Sequence, residues 1–470
     1  MVFNSLEYAV FLPLVLAVYW QLPFRWQNRF MLVASYVFYG AWDVRFLTLL
    51  MISTGVDYVV GRRLGTETDE RRRKRLLAVS LIVNLGILGF FKYFGFFVDS
   101  LAALLHSIGF DVDPVVLSIV LPVGISFYTF QSISYSFDVY RKRIEPTQSL
   151  VNFALYVAWF PQLVAGPIER ARKLLPQIEM PRSRPTSDIV RSALFLILLG
   201  LFKKVAIADV VAPFVNETFA TAATAGTIQL VLGAYAFGLQ IYGDFSGYSD
   251  IARGSSRLFG IELMRNFEQP YLSRNITAFW RTWHISLSNW LHDYLYVPLG
   301  GNRGTSFETY RNLIVTMLLG GLWHGAAWTF VIWGGLHGIY LALHRRFGGY
   351  APRGYQGRLT AKDVGPMLIT LAAVTFAWIF FRANTLGDAI DYVRGLVSLR
   401  PGVPSLDQLA ILAAAGLVVF LIDVAQRNSQ KHSFVMDWPP VARGLAYGFL
   451  ILGVLVFSGG DTVPFIYFQF

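Results

Sequence analysis

Of the seven histidines in this chain, one stands where an ionisable side chain is least expected. His324 lies in Leu318-Leu319-Gly320-Gly321-Leu322-Trp323-His324-Gly325-Ala326-Ala327-Trp328, an apolar run with glycines on both sides. A polar ring at membrane depth is costly to place, so by default it marks a functional site. A neutral imidazole, with an ordinary pKa near 6.5, can take the proton from a hydroxyl that attacks a carbonyl, and burial favours that neutral form. The bland alternative is a core histidine held by a hydrogen bond. His284 is the second candidate. Read as one helix, its stretch carries His284, Ser288 and His292 on a polar stripe, with Arg281 one turn before His284 and Ser288 one turn after. On a helix lining a cavity, His284 would orient an acyl carbonyl or donate to a developing oxyanion; on an interfacial helix it would only touch headgroups. His292 is read as support. Asp244, in Tyr242-Gly243-Asp244-Phe245-Ser246-Gly247-Tyr248-Ser249-Asp250, either caps the next helix or serves as a carboxylate paired with Arg281 or a histidine. His337 falls on a rather different helix face from His324, and His106, His344 and His432 lie near loops.

The chain has no cysteine. Disulfides, thiolate metal sites and a cysteine acyl-enzyme are therefore excluded. A Gly-x-Ser-x-Gly elbow, a phosphate-binding Gly-x-x-x-x-Gly-Lys loop and a His-Glu-x-x-His zinc site are all missing, so serine hydrolase, motor ATPase and zincin readings lose their usual support. Two intramembrane histidines would ligate haem only as a facing axial pair, which spacing does not reveal. No metal and no permanently bound cofactor are expected.

The elements that must position these residues follow from composition. Of 470 residues, 55% are hydrophobic and 15% charged, against roughly a quarter charged in a soluble domain. Lipid is the solvent this implies. Apolar stretches recur over 6–22, 30–42, 45–60, 76–92, 115–138, 150–167, 188–210, 227–242, 312–330, 331–345, 365–381, 405–423 and 443–458. Backbone groups in hydrocarbon must be satisfied locally, and no period-two alternation is present, so the expectation is an all-α polytopic membrane protein. Several stretches are short; 30–42, and 150–167 with Pro161, Gly166 and Pro167, are expected to be re-entrant or buried in protein. Residues 1–22 lack a basic region and a cleavage site, and read as a retained first helix. The net charge of +11 comes from Lys and Arg in short loops. That pattern fits cytoplasmic loops and not a nucleic-acid surface. The loop from Arg62 to Arg75 sets the orientation: counting back puts the N-terminus outside, and the basic loop at 169–184 is consistent only if 150–167 dips in and returns. Leu121-Pro122-Val123-Gly124 and Gly166-Pro167 are either simple kinks or breaks that open a cavity. Between about 266 and 311 the chain turns polar and is expected to hold an amphipathic helix, with Trp283, Leu287, Trp290 and Tyr294 on one side. No internal repeat of the transporter kind is found.

These residues resemble a known family. Glu268-Gln269-Pro270-Tyr271, the run Ile276-Thr277-Ala278-Phe279-Trp280-Arg281-Thr282-Trp283-His284-Ile285-Ser286-Leu287-Ser288, Gly300-Gly301-Asn302-Arg303-Gly304 with Tyr310-Arg311-Asn312, and Leu319-Gly320-Gly321-Leu322-Trp323-His324-Gly325 are similar to the core of the bacterial membrane-bound O-acyltransferases. So are Met1-Val2-Phe3, 242–250 and Phe465-Ile466-Tyr467-Phe468-Gln469-Phe470, so the likeness runs over essentially the whole chain and is strongest to the branch that acetylates exopolysaccharides. The D-alanine transfer proteins of teichoic acid are similar at the two histidine motifs.

The resemblance implies one membrane domain over 1–470, with its catalytic core at about 242–338, built as a ring of about 11–13 transmembrane or re-entrant helices around a central funnel or tunnel. It implies that His324 is the family's catalytic histidine and His284 its second. Arg281, Asp244, Ser288, Arg303, Trp323 and Asn312 are expected to shape the site. It also implies acetyl-CoA as donor substrate, the bacterial inner membrane as location with a periplasmic N-terminus, and membrane lipid, a periplasmic acceptor or acetyltransferase protein and an exopolysaccharide as partners. The rival expectations are D-alanyl or longer-acyl transfer from a carrier protein, and a transporter or flippase without chemistry.

Overall fold

The structure, a computed structural model, describes residues 1–110, 117, 119–163, 166–348, 357–459 and 464–466. Regular structure among them is helical throughout, as lipid requires of a chain that is not a barrel. The chain divides into two compact units, Met1–Ala193 with Ala252–Met264, and Leu194–Ile251 with Arg265–Phe470.

The first unit holds α1 (Leu6–Tyr19), α2 (Phe24–Gly40), α3 (Val44–Thr66), and α4 (Glu70–Leu88), which continues through a π-helical turn at Gly89–Tyr93 into α5 (Phe94–Ser107). It continues with α6 (Ile125–Tyr140), α7 (Leu150–Ala158), α8 (Phe160–Leu163) and α9 (Ala171–Glu179). Of the span expected over 115–138, residues 115, 116 and 118 lie outside the described residues, and the helical part is α6. α3 and the run α4–α5 are long and apolar enough to cross a bilayer. Their inner faces are stitched by a buried carboxylate: Asp57 accepts from Ser136 Oγ (2.6 Å), Asn84 Nδ2 (2.6 Å) and Ser80. Such a group is tolerated in the core because its hydrogen bonds are made inside it. The stretch 150–167 breaks at Trp159 into helices of 9 and 4 residues, nearly all buried. At 1.5 Å per residue neither reaches across a core of about 30 Å.

The second unit begins within α10 (Ser187–Phe202), which passes through a π-helical turn, Lys203–Ala208, into α11 (Asp209–Ala220). α12 (Thr227–Leu258) contributes its residues up to Ile251. Then come α13 (Ile276–Thr282), α14 (Ile285–Leu291), a π-helical turn at His292–Tyr296, α15 (Ser306–His324), α16 (Trp328–Phe347), α17 (Ala361–Arg382), α18 (Leu386–Val397), α19 (Leu406–Ser429) and α20 (Pro440–Phe457). α17, α19 and α20 meet the length and composition of membrane spans, and most side chains of α20 face outward, where lipid solvates them. α15 and α16 form a hairpin that touches backbone to backbone. A Cβ on Gly321 would stand 2.1 Å from the Phe330 carbonyl oxygen, and one on Gly334 2.2 Å from that of Met317. Only glycine fits at that approach, the packing mode lipid-embedded helices use when burial of apolar area gives no gain. The hairpin carries His324 at its tip.

Candidate active site

His324 is the last residue of α15, a helix opened by a capping box between Thr305 and Glu308. Gly325 and Ala327 are extended, so the chain turns and α16 restarts at Trp328. The turn leaves His324 only 4% exposed. Its ring is surrounded by those of Trp323 (5.0 Å between centroids), Trp333 (5.1 Å), Phe381 (5.3 Å) and His284 (6.3 Å). The two histidines singled out from spacing therefore meet in one buried aromatic chamber.

His284 arrives there by a route that helical periodicity does not anticipate. The single amphipathic helix expected through it is broken: α13 ends at Thr282 and α14 begins at Ile285. Between them His284 takes the left-handed conformation, φ +41°, ψ +55°, which costs a non-glycine residue on the order of 1 kcal/mol. Asn266 holds it there. The Ile285 N–H donates to the Asn266 carbonyl (2.9 Å), the Ser286 N–H to Asn266 Oδ1 (3.3 Å), and Asn266 Nδ2 donates to Ser249 Oγ (3.3 Å). The His284 ring is fully buried, and Nδ1 accepts the Leu287 N–H (3.3 Å), capping α14. Burial pushes its pKa down to about 3, so the ring is neutral at physiological pH. With Nδ1 accepting, the proton resides on Nε2, which faces its surroundings as a donor. Phe245 packs edge-on against the ring at 4.6 Å.

The break also divides the predicted stripe. His284 belongs to the aromatic chamber, whereas Ser288 and His292 line a separate cavity of about 780 Å³ together with Trp280, Arg281, Asn302 and Arg345. Ser288 Oγ donates to the Trp283 carbonyl (3.1 Å). Asp244 is buried, but in place of Arg281 or a histidine it takes Lys204 (3.0 Å) and the Ile466 N–H (2.7 Å). The neighbouring Phe465 packs on Tyr248 at 4.0 Å. Asn312 donates to the Gly301 carbonyl (3.1 Å) and accepts from Arg311 (3.1 Å), which fixes the turn before α15, and Arg303 is exposed in that turn. Trp323 is the one supporting residue from the sequence reading that flanks both histidines, at 5.0 and 6.1 Å.

Spacing missed His337, Trp333 and Asn266. Counting helix faces from His324 to His337 assumes one continuous helix, but the turn at 325–327 resets the phase and the Gly321–Gly334 approach folds α16 back. His337 is thereby 4.9 Å from Trp333, stacked on Phe279, with Nδ1 accepting the Trp280 indole N–H (3.2 Å). The glycines at 334 and 338, one turn apart on α16 and packed against Met317, Gly321 and Ile314 of α15, were the available signal.

Two buried imidazoles share one aromatic cluster inside an all-helical membrane protein, an arrangement in which a ring can take the proton of an attacking hydroxyl away from bulk water. The chain belongs to the MBOAT, membrane-bound O-acyltransferase family, whose model matches residues 142–381 and so spans both histidines. It is 41% identical to the probable alginate O-acetylase AlgI of Azotobacter vinelandii over the whole of both chains. It is 36% identical to the peptidoglycan O-acetyltransferase of Helicobacter pylori, covering 94% of this chain and 91% of that one. To the teichoic acid D-alanyltransferase of Streptococcus thermophilus it is 28% identical, over 53% of this chain and 63% of that one. The chain is a multi-pass membrane protein and an O-acyltransferase.

Proposed function

We propose that this enzyme moves an acetyl group from cytoplasmic acetyl-CoA to an acceptor hydroxyl for O-acetylation of an exported polysaccharide, with His324 as general base. The hydroxyl oxygen attacks the thioester carbon as its proton passes to His324; a C–O bond forms and the C–S bond breaks. The proton then leaves His324 with the thiolate, giving an acetyl ester and free CoA thiol with no net proton gained or lost. His284, neutral and donating through Nε2, positions or polarises the acyl carbonyl. The observation that carries this reading is the pair of buried rings 6.3 Å apart. Support for a phosphate-bearing donor comes from the 780 Å³ cavity, where Arg281 and Arg345 stand beside Ser288, Asn289 and Asn302, groups that bind phosphate oxygens, with one carboxylate, Asp293, in the same lining. Full-length similarity to an alginate O-acetylase favours acetyl over D-alanyl transfer, since the D-alanyltransferase likeness covers about half the chain. The basic stretch Arg62–Arg75, which spans the end of α3 and the start of α4 and is read as cytoplasmic, supports a periplasmic N-terminus in an inner-membrane protein. A periplasmic acceptor or acetyltransferase protein is proposed as the partner that passes acetyl to the polymer.

The test is purified protein in detergent, supplied with acetyl-labelled acetyl-CoA, the exported polysaccharide fraction and the periplasmic extract of the source cells. Label in base-labile ester on the polymer, with one thiol released per ester, is expected. Transfer of D-alanine from a carrier protein in its place would favour the rival acyl group, and the absence of any transfer without a sealed membrane would favour a transporter.

A further inference from the structure

We infer that Trp333 and His337 form the subsite that binds the carbonyl oxygen of the acyl donor beside His324, through the Trp333 Nε1–H and the His337 Nε2–H; this rests on the acyl-transfer reading above. Trp333 is 1% exposed and His337 0%. Among the described residues no acceptor meets Trp333 Nε1 or His337 Nε2. The protonation of His337 follows from its other nitrogen. An indole N–H can only donate, so the 3.2 Å bond from Trp280 to His337 Nδ1 leaves Nδ1 bare and the proton on Nε2. Besides the Nε2–H of His284, the chamber therefore holds two further N–H donors on rings 4.9 Å apart, and the Trp333 ring is 5.1 Å from that of His324. A buried donor without an acceptor is costly, and a pair of them beside the base is a place where an acceptor arrives with the ligand. A thioester carbonyl oxygen offers two lone pairs and the oxyanion formed from it three, so the Trp333 and His337 donors add to the one from His284 and do not replace it. The oxygen gains negative charge as the hydroxyl attacks, when fixed donors in a dry site act most strongly. The rest of the chamber, Phe279 stacked on His337 and Phe381 5.1 Å from Trp333, is apolar and suits a short acyl group.

The experiment compares Trp333→Phe, His337→Phe and His337→Gln by thiol release from acetyl-CoA in the presence of the exported polysaccharide, with melting temperatures measured alongside. Each phenylalanine keeps a ring and removes the donor. Both should lower kcat by about tenfold to a hundredfold, with KM for acetyl-CoA within about twofold. Glutamine can accept from Trp280 and donate onward, so His337→Gln should recover most of the rate. A wild-type kcat in both phenylalanine variants, or a loss that follows melting temperature and is not recovered by glutamine, overturns the subsite. Where a variant does not fold, the infrared carbonyl band of acetyl-CoA bound to His324→Gln protein decides: a shift to lower frequency than in water supports the subsite, and a band at or above the free position rejects it. Wild-type protein that releases no thiol at all would reject the acyl-transfer reading itself, a distinct outcome.

Discussion

Two buried clusters in the second unit handle polar groups in opposite ways. Around α12 the fold buries charges and pairs them: Lys203 with Asp250 (2.8 Å), and Lys204 with both Asp209 (2.8 Å) and Asp244 (3.0 Å), while His432 Nδ1 lies 3.3 Å from Asp250 Oδ1. The π-helical turn at Lys203–Ala208 sets both lysines, though adjacent in sequence, against carboxylates. Around His324 the fold buries imidazole rings among tryptophans and phenylalanines. The clusters adjoin through consecutive residues, since Asp244 belongs to the first and Phe245 packs on His284 in the second. Paired charges are locked, because separating them strands an ion in a medium that solvates it poorly. Neutral imidazoles can gain and lose a proton during a reaction. Burial thus has two uses here, and the chemistry proposed above belongs to the aromatic cluster.

The largest effect that sharpens the contrast is expected from the charged side. Lys203→Met leaves Asp250 without its lysine and should cost about 3–5 kcal/mol, read as a lower melting temperature and less folded protein extracted in detergent. The double variant Lys203→Met with Asp250→Leu should regain a large part of that stability and retain acyl transfer. Wild-type stability in the single variant would show that the pair is not a structural lock.

A smaller effect is expected at Asn266. Removing its side chain in Asn266→Ala takes away the Oδ1 that accepts the Ser286 N–H and the Nδ2 bond to Ser249, at a cost of about 1–3 kcal/mol. The left-handed turn at His284 loosens, and kcat should fall about tenfold, because displacements of about an ångström at a reacting centre are expensive. An unchanged kcat at normal stability would separate His284 from the chemistry.

How much of this was legible in the sequence depends on how far apart the causes lie. The burial of His324 could be read because its cause is local: an imidazole in an apolar run bracketed by glycines. All-helical architecture could be read from composition, since lipid leaves a chain few alternatives. The turn at His284 could not, because Asn266, from a different segment, imposes its φ. For the same reason Asp244 found Lys204, brought by a π-helical turn, in place of the expected histidine or Arg281. Arg303 and Asn312 sit beside conspicuous glycines, but their geometry serves the turn at Gly300–Gly301 and does not reach the chamber.

The smallest effect concerns pH. Burial pushes His284 down to about 3, against about 6.5 in an unfolded chain. The folded state thus binds fewer protons between those values, and the stability contributed by His284 is complete above about 6.5 and lost as pH falls towards 3. Its ring stays neutral from pH 5 to 8. Any acid limb of kcat in that range should persist, at the same midpoint, in His284→Gln, whatever that substitution does to the plateau. A limb that vanishes with His284 would mean that the ring titrates and that the chamber is less dry than its burial indicates.

The most direct test of the account is steady-state acetyl transfer by purified His324→Gln protein with a melting temperature matching the wild type. A general base of this kind contributes about 10²–10⁴-fold, so the predicted result is a rate lower by at least about a hundredfold, while the charge-removed double variant at Lys203 and Asp250 stays active. A His324→Gln rate within a few-fold of wild type would contradict the claim that the neutral chamber carries the chemistry.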